Sequence, residues 1–251
     1  MKRNFTELKR LARETLTGHY STPMAGIVLT SVISNLLLLP FDVSLNNTAS
    51  QSVLLYAASF FIGLLSILFS CGLCYMHLKM RRGLSYGLRD IFCFFKKQPD
   101  RFLLSYLLLI GLTLLILLPA ILLTAAVLLP ACTTAIQISI PAWILIPVWI
   151  LFILLSLPVL YNYAMIFYLL IDYPQMKIKD AFHESKRLMK GKKMQLFLLH
   201  LSFLGWLILG ICSCLIGFLW IEPYFEQTCI SFYFELTGEN ETLEQKKGCK
   251  T

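Results

Sequence analysis

Long apolar blocks alternate along the chain with short segments that carry nearly all the charge. Four blocks lie at 23–41, 53–76, 102–129 and 142–171, and a fifth run begins at Leu196. From Phe102 to Ile171 there are 70 consecutive residues without Asp, Glu, Lys, Arg or His. A helix needs about 20 apolar residues to cross the hydrocarbon core. Each block therefore predicts one crossing, and the fold class is an all-α, polytopic membrane protein. Pro119, Pro147 and Pro158 fall inside blocks and predict kinks, because proline removes a backbone donor and clashes with the preceding turn. The fifth run, 196–236, has 41 residues, too many for one crossing. It reads as two helices, 196–213 and 218–236, with a turn near Leu215-Ile216-Gly217.

The segments between blocks have helical periodicity of their own. Phe5, Leu8, Ala12 and Leu16 recur at spacings of three and four, as do Leu84, Leu88, Ile91, Phe92 and Phe95. Ile178, Ala181, Phe182, Leu188 and Met189 share a face, with Lys177, Asp180, Glu184 and Lys186-Arg187 elsewhere on the helix. These stripes predict amphipathic helices at 4–17, 84–95 and 176–190, lying in the headgroup plane. The chain then reads as three units, each an interfacial helix followed by a transmembrane hairpin.

Composition agrees with the pattern. Of 251 residues, 57% are hydrophobic and 14% charged, against roughly a quarter charged in an average soluble domain. The net charge of +8 needs no nucleic acid, because Lys and Arg collect on the cytoplasmic side of membrane proteins. Under six spans the inner segments are 1–22, 77–101, 172–195 and 237–251. They hold 5, 7, 7 and 3 basic residues, which is all 22 in the chain. The outer segments 42–52, 130–141 and 214–217 hold none. A five-span arrangement would export Lys246, Lys247 and Lys250. The expectation is therefore a multi-pass protein of the cell membrane with both termini, including the 237–251 tail, in the cytoplasm. The amphipathic N-terminal segment lacks a small-x-small cleavage site after it and is not read as a signal peptide.

Chemistry is scarce. The eight cysteines sit mostly in apolar runs and read as small reduced hydrophobes; Cys71-x-x-Cys74 lacks a second ligand pair for zinc. His183-Glu184 lacks the second histidine of a helical zinc protease, and there is no Gly-x-Ser-x-Gly elbow or phosphate-binding glycine loop. No enzyme, cofactor or metal is expected. An acid inside a span is a functional-site hypothesis by default. Glu222 and Glu226 are four apart and share a helix face, with Asn162, Tyr161, Tyr163 and His200 as candidate partners on neighbouring spans. Lys186, Arg187, Lys190, Lys192 and Lys193 form the densest basic cluster and are candidate contacts for anionic lipid headgroups.

Residues 181–236 read Ala-Phe-x-Glu-Ser-x-x-Leu-Met-Lys-Gly-x-Lys, then Leu-Phe-Leu-Leu-x-Leu-Ser-Phe-Leu-Gly-Trp. They continue Ile-Gly-Phe-Leu-Trp-Ile-x-Pro-Tyr and end Thr-x-x-x-Phe-Tyr-x-x-Leu. This stretch resembles an uncharacterised family of integral membrane proteins, domain of unknown function nine-seven-five, found mainly in Gram-positive bacteria. Nearer the N-terminus the family usually has Lys-Gly and a following Trp, where this chain has Thr17-Gly18-His19-Tyr20. The resemblance implies a six-span bacterial membrane protein and no activity. The expected role is a non-enzymatic scaffold, lipid-interacting factor or accessory subunit of another membrane machine. The alternative is a small permease or exporter component with an intramembrane acidic site.

Overall fold

A computed structural model describes residues 5–42, 49–133 and 145–240, and these residues form helices joined by turns. Residues 43–48 and 134–141 of the expected outer loops, the start of the fourth block and most of the 237–251 tail lie outside them, while 49–52 and 130–133 belong to helices. In chain order the helices are α1 (Phe5–Leu16), α2 (Ser21–Asp42), α3 (Ala49–Arg81), α4 (Cys93–Lys96), α5 (Pro99–Thr133) and α6 (Leu145–Asn162). They continue with α7 (Ile166–Asp172), α8 (Ile178–Leu188), α9 (Lys193–Leu201), α10 (Leu204–Cys212) and α11 (Phe218–Thr237). A 3₁₀ turn at Leu88–Phe92 precedes α4.

Among the described residues, five segments are long and apolar enough to cross a membrane: Ser21–Pro40, Val53–Arg81, Pro99–Ala126, Leu145–Asp172 and Lys193–Cys212. Two are broken. The fourth stops at Asn162 and resumes at Ile166, and the freed backbone groups find a partner on α8. Ser185 Oγ donates to Asn162 O (2.9 Å) and accepts from Met165 N (3.2 Å). The fifth breaks at Ser202–Phe203, where Lys9 of α1 donates to Ser202 O (3.2 Å) and lies 4.4 Å from the Phe203 ring centre. Burial, with the nearby Arg13 charge, lowers the Lys9 pKa. Both breaks follow the rule that irregular backbone at membrane depth is tolerated only where protein satisfies it. The segment read as the sixth span, 218–236, is one helix, α11, but it is too polar to join the five.

Most of the buried residues come from one end of each long element, with Ala120, Ser156 and Gly210 as exceptions. In α3 they run from Leu68 to Arg81; in α7 they are Ile166 and Leu169–Ile171; in α9 they are Leu196 and Leu199. Phe102 and Ser105 are buried near the start of α5. The other ends expose apolar side chains: Val28 to Leu39 of α2, Val53 to Leu65 of α3, Ile146 to Leu155 of α6, Leu204 to Ile211 of α10. The molecule is thus a close-packed layer continued by uncovered apolar rods. The stripe on α1 belongs to that layer. Leu8, Leu11, Ala12 and Leu16 are buried, and the helix lies against α11.

Two arginines at the end of α3 hold the layer together. Arg82 bridges Asp172 (2.8 and 2.9 Å) and Glu239 (2.6 and 2.8 Å), and Tyr233 also donates to Asp172 (2.9 Å). Arg81 donates to Thr15 Oγ1 (3.1 Å) and Asn240 Oδ1 (3.0 Å), while Asn240 donates to Ser231 O (2.8 Å). One chain terminus of each of α3, α7 and α11 is fixed by these contacts.

The segment between α3 and α5 departs from the expected 84–95 helix. It is split into a 3₁₀ turn and the four-residue α4. The cause is the close approach at Gly72, where an added Cβ would stand 2.1 Å from Ile91 O. The turn is also tied by Lys79, whose ammonium meets Asp90 at 2.9 Å. At each passage from a short polar helix into a long apolar one, one residue is left-handed: Gly18 (φ 79°) before α2, Gln98 (φ 51°) before α5, Gly191 (φ 73°) before α9. Thus the corners of all three units share one backbone device.

Two outcomes follow. Gly72→Ala should destabilise the protein by about 3 kcal/mol or more, because a backbone carbonyl rather than a flexible side chain must move; thermal unfolding in detergent reads this. Arg82→Ala should cost about 2 kcal/mol, since it leaves the half-buried Asp172 and Glu239 carboxylates without their cation, with Tyr233 alone still bonded to Asp172. An Arg82→Ala melting temperature equal to that of the wild type would refute the role assigned to the bridge.

Candidate functional site

α11 carries Glu222, Glu226, Gln227, Thr228, Ser231 and Tyr233, a set that hydrocarbon would not tolerate. Most of this set is enclosed: every residue from Gln227 to Phe234 is buried, with α1, α2, α3 and α10 packed around the helix. The hydroxyls turn inward on their own helix. Thr228 Oγ1 donates to Tyr224 O (2.7 Å) and Ser231 Oγ to Gln227 O (2.9 Å). The Gln227 side chain reaches α3, where its Oε1 meets His77 Nδ1 at 2.9 Å.

One turn toward the N-terminus of α11, this polar face opens into a cavity of about 280 Å³ between α2, α3, α7 and α11. Glu226 lies within it and accepts a hydrogen bond from the Tyr168 hydroxyl (3.1 Å). Tyr168 is held in place by stacking on Tyr233, with ring centres 5.3 Å apart. Glu222 stands at the rim, exposed; no hydrogen bond or ion pair to it occurs among the described residues. His77, 2% exposed, lines the opposite wall with the free thiols Cys71 and Cys74 and the hydroxyl of Ser70. With Gln227 Oε1 as the acceptor, the proton is on Nδ1 and Nε2 is left as an acceptor. The remaining wall is apolar, formed by Ile27, Ile67, Leu73, Ala164, Phe167 and Pro223. Among the described residues neither lysine nor arginine lines the cavity.

The residues singled out in the sequence divide between this cavity and its surroundings. Glu222 and Glu226 share it. His200 faces a second, more apolar cavity of about 360 Å³, which Glu222 also borders. There its Nδ1 meets the Tyr161 hydroxyl (3.0 Å) and its Nε2 lies 3.9 Å from Cys229 Sγ. Asn162 contributes its backbone carbonyl to Ser185, and the Tyr163 ring lies against Phe182 at 5.2 Å. Neither lines the acidic cavity. The partners of Glu226 that sequence reasoning missed are Tyr168 and the α3 residues. The turn-by-turn phase linking Cys71, Cys74 and His77 at spacings of three was the one available signal. Among the described residues no group of three or more His, Cys, Asp or Glu side chains is placed to hold a metal ion.

The basic cluster occupies the corner between α8 and α9. Lys186, Arg187 and Lys190 are exposed, and Lys192 and Lys193 are partly covered. Arg187 donates to Glu184 Oε2 (2.7 Å), and this bond holds the Glu184 carboxyl below the usual carboxylate range. Gly191 turns the chain so that the basic residues on either side of it lie at one corner of the close-packed layer.

No curated protein and no solved structure matches the chain. The family model described as protein of unknown function (DUF975) matches residues 1–240. With this match over nearly its whole length, the chain belongs to that uncharacterised family, and its own five long apolar helices suit a membrane protein.

Proposed function

We propose that the chain is a non-enzymatic, lipid-interacting protein of the cell membrane, acting as a scaffold or accessory subunit. In this reading it has six crossings, with α11 as the sixth and both termini in the cytoplasm. The observation that carries it is the division of the molecule into two layers. Uncovered apolar rods meet lipid tails, and the close-packed layer presents a basic corner of Lys186, Arg187, Lys190, Lys192 and Lys193. A lysine or arginine near an anionic leaflet contributes about 1 kcal/mol of attraction. Arg187 contributes less, because Glu184 already neutralises it in part. The corner lies on the same close-packed layer as the arginine bridges, where it can meet headgroups or another membrane protein.

A second reading is a small permease or exporter component. It is favoured by one feature, the pair of acids in a cavity beside broken helices, an arrangement found in transporters.

Two measurements bear on these readings. Replacing the five basic residues by Gln should reduce the phosphatidylglycerol retained after mild-detergent purification while leaving the melting temperature within a few degrees. Retention equal to wild type would sink the headgroup role. A reporter fused after Lys250 should be active only as a cytoplasmic protein, and one inserted after Asn46 only as an exported one. The opposite result at either position would overturn the six-crossing topology. Solute or ion flux by the protein alone in vesicles, abolished in Glu226→Gln, would replace the first reading with the second.

A further inference from the structure

We propose that the cavity between α2, α3, α7 and α11 binds an organic ammonium ion, with Glu222 and Glu226 as its counter-charges and His77 Nε2 as a hydrogen-bond acceptor. Three independent features converge on this chemistry. The first is charge. Two carboxylates one helical turn apart face a cavity with no lysine or arginine among its described lining residues, so a cation there relieves their mutual repulsion and replaces lost hydration.

The second is the histidine. His77 is 2% exposed and reaches the cavity wall, with Nδ1 committed to the buried Gln227. Its other nitrogen has no partner among the described residues. An acceptor that opens only on this cavity is available to a donor held there. An ammonium group supplies several N–H donors at once, enough for both carboxylates and the imidazole.

The third is shape. About 280 Å³ corresponds to on the order of ten waters, far more than a bare metal ion fills. It lies at the low end of the range for organic ligands. The described residues offer no three-ligand metal set. Instead Ile27, Ile67, Leu73 and Phe167 provide apolar wall next to the acids, matching an amine that carries a hydrocarbon part. Tyr168 positions Glu226 through its hydroxyl and is a positioning residue. The exposed position of Glu222 leaves the acidic end of the cavity open. The ammonium has two sources of the same chemistry, the headgroup of phosphatidylethanolamine or a soluble alkylamine.

The test uses the full chain in a neutral detergent, with octylammonium as probe and octyl sulfate as the charge-reversed control, titrated calorimetrically. Octylammonium should bind saturably, octyl sulfate should not compete, and Glu222→Gln should weaken binding by at least about tenfold. Glu226→Gln should weaken it at least as much. Glu222 makes no hydrogen bond or ion pair among the described residues, so its variant keeps the test valid even if Glu226→Gln misfolds. Nanodiscs of mixed phosphatidylethanolamine and phosphatidylglycerol then separate the sources by native mass spectrometry. Selective retention of phosphatidylethanolamine, lost in Glu222→Gln, identifies a headgroup. Binding of octylammonium without such retention identifies a soluble amine. Non-saturable octylammonium binding, equal binding by octyl sulfate, or unchanged affinity in Glu222→Gln would each overturn the proposal.

Discussion

A helix with two glutamates, a glutamine and several hydroxyls can exist at membrane depth only if other protein surrounds it. That constraint organises this molecule. α11 is enclosed along most of its length, and each neighbour contributes to its enclosure. α1 supplies its apolar stripe, α3 supplies His77 and the two arginines, and α7 supplies Tyr168 and Asp172. The amphipathic first helix is therefore not free to lie on lipid with its apolar face down, because that face is already buried on α11. The arginine bridges add a second condition, since Arg81 and Arg82 fasten the residues just beyond α11 to the end of α3. A helix with polar side chains and a fixed end stays central while the apolar rods around it meet hydrocarbon.

The same enclosure creates the cavity. From Gln227 onward most of the polar face of α11 is satisfied by its own backbone, by His77 and by Asn240, while Gln227 Nε2 stays buried without a partner among the described residues. At Glu226 the carboxyl meets the Tyr168 hydroxyl and the Cys74 thiol, while Glu222 one turn away has no hydrogen bond or ion pair among the described residues. Helix breaks lie close by in α6–α7 and α9–α10, each repaired by a side chain from an amphipathic helix. The short polar helices thus act as braces for irregular backbone as well as connections between long helices. Their corners, at Gly18, Gln98 and Gly191, place charged residues at the edge of the close-packed layer. Glycine suits two of them because left-handed backbone is nearly free of steric cost without a Cβ. Gln98 adopts the same conformation at a cost that neighbouring contacts must offset.

Family membership covers almost the whole chain and brings no activity with it. The functional argument therefore rests on local chemistry: a basic corner suited to anionic headgroups, and an acidic, partly apolar cavity suited to a cation. The two sites have opposite charge and lie on different elements, so substitutions can address them separately.

Much of this was legible in the linear pattern. Charge-free blocks longer than a bilayer crossing announce apolar helices whatever their neighbours, because the cost of placing charge in hydrocarbon acts on each segment alone. Stripes at spacings of three and four announce α1 and α8 for an equally local reason, and Glu222 and Glu226 stand out as acids in an apolar run. Other features depended on which surfaces meet. The 84–95 stripe could not reveal that Ile91 would press on Gly72 and replace one helix by a 3₁₀ turn and a short α4. Nor could spacing show that Tyr168, rather than Asn162 or Tyr163, faces Glu226, because helix rotation is set by packing against neighbours far away in sequence. By itself the sequence determined where the chain is apolar enough to leave water, since transfer free energy is a property of each segment. Only the tertiary structure decided which polar groups on those segments meet, because hydrogen bonds and cavities belong to pairs of surfaces.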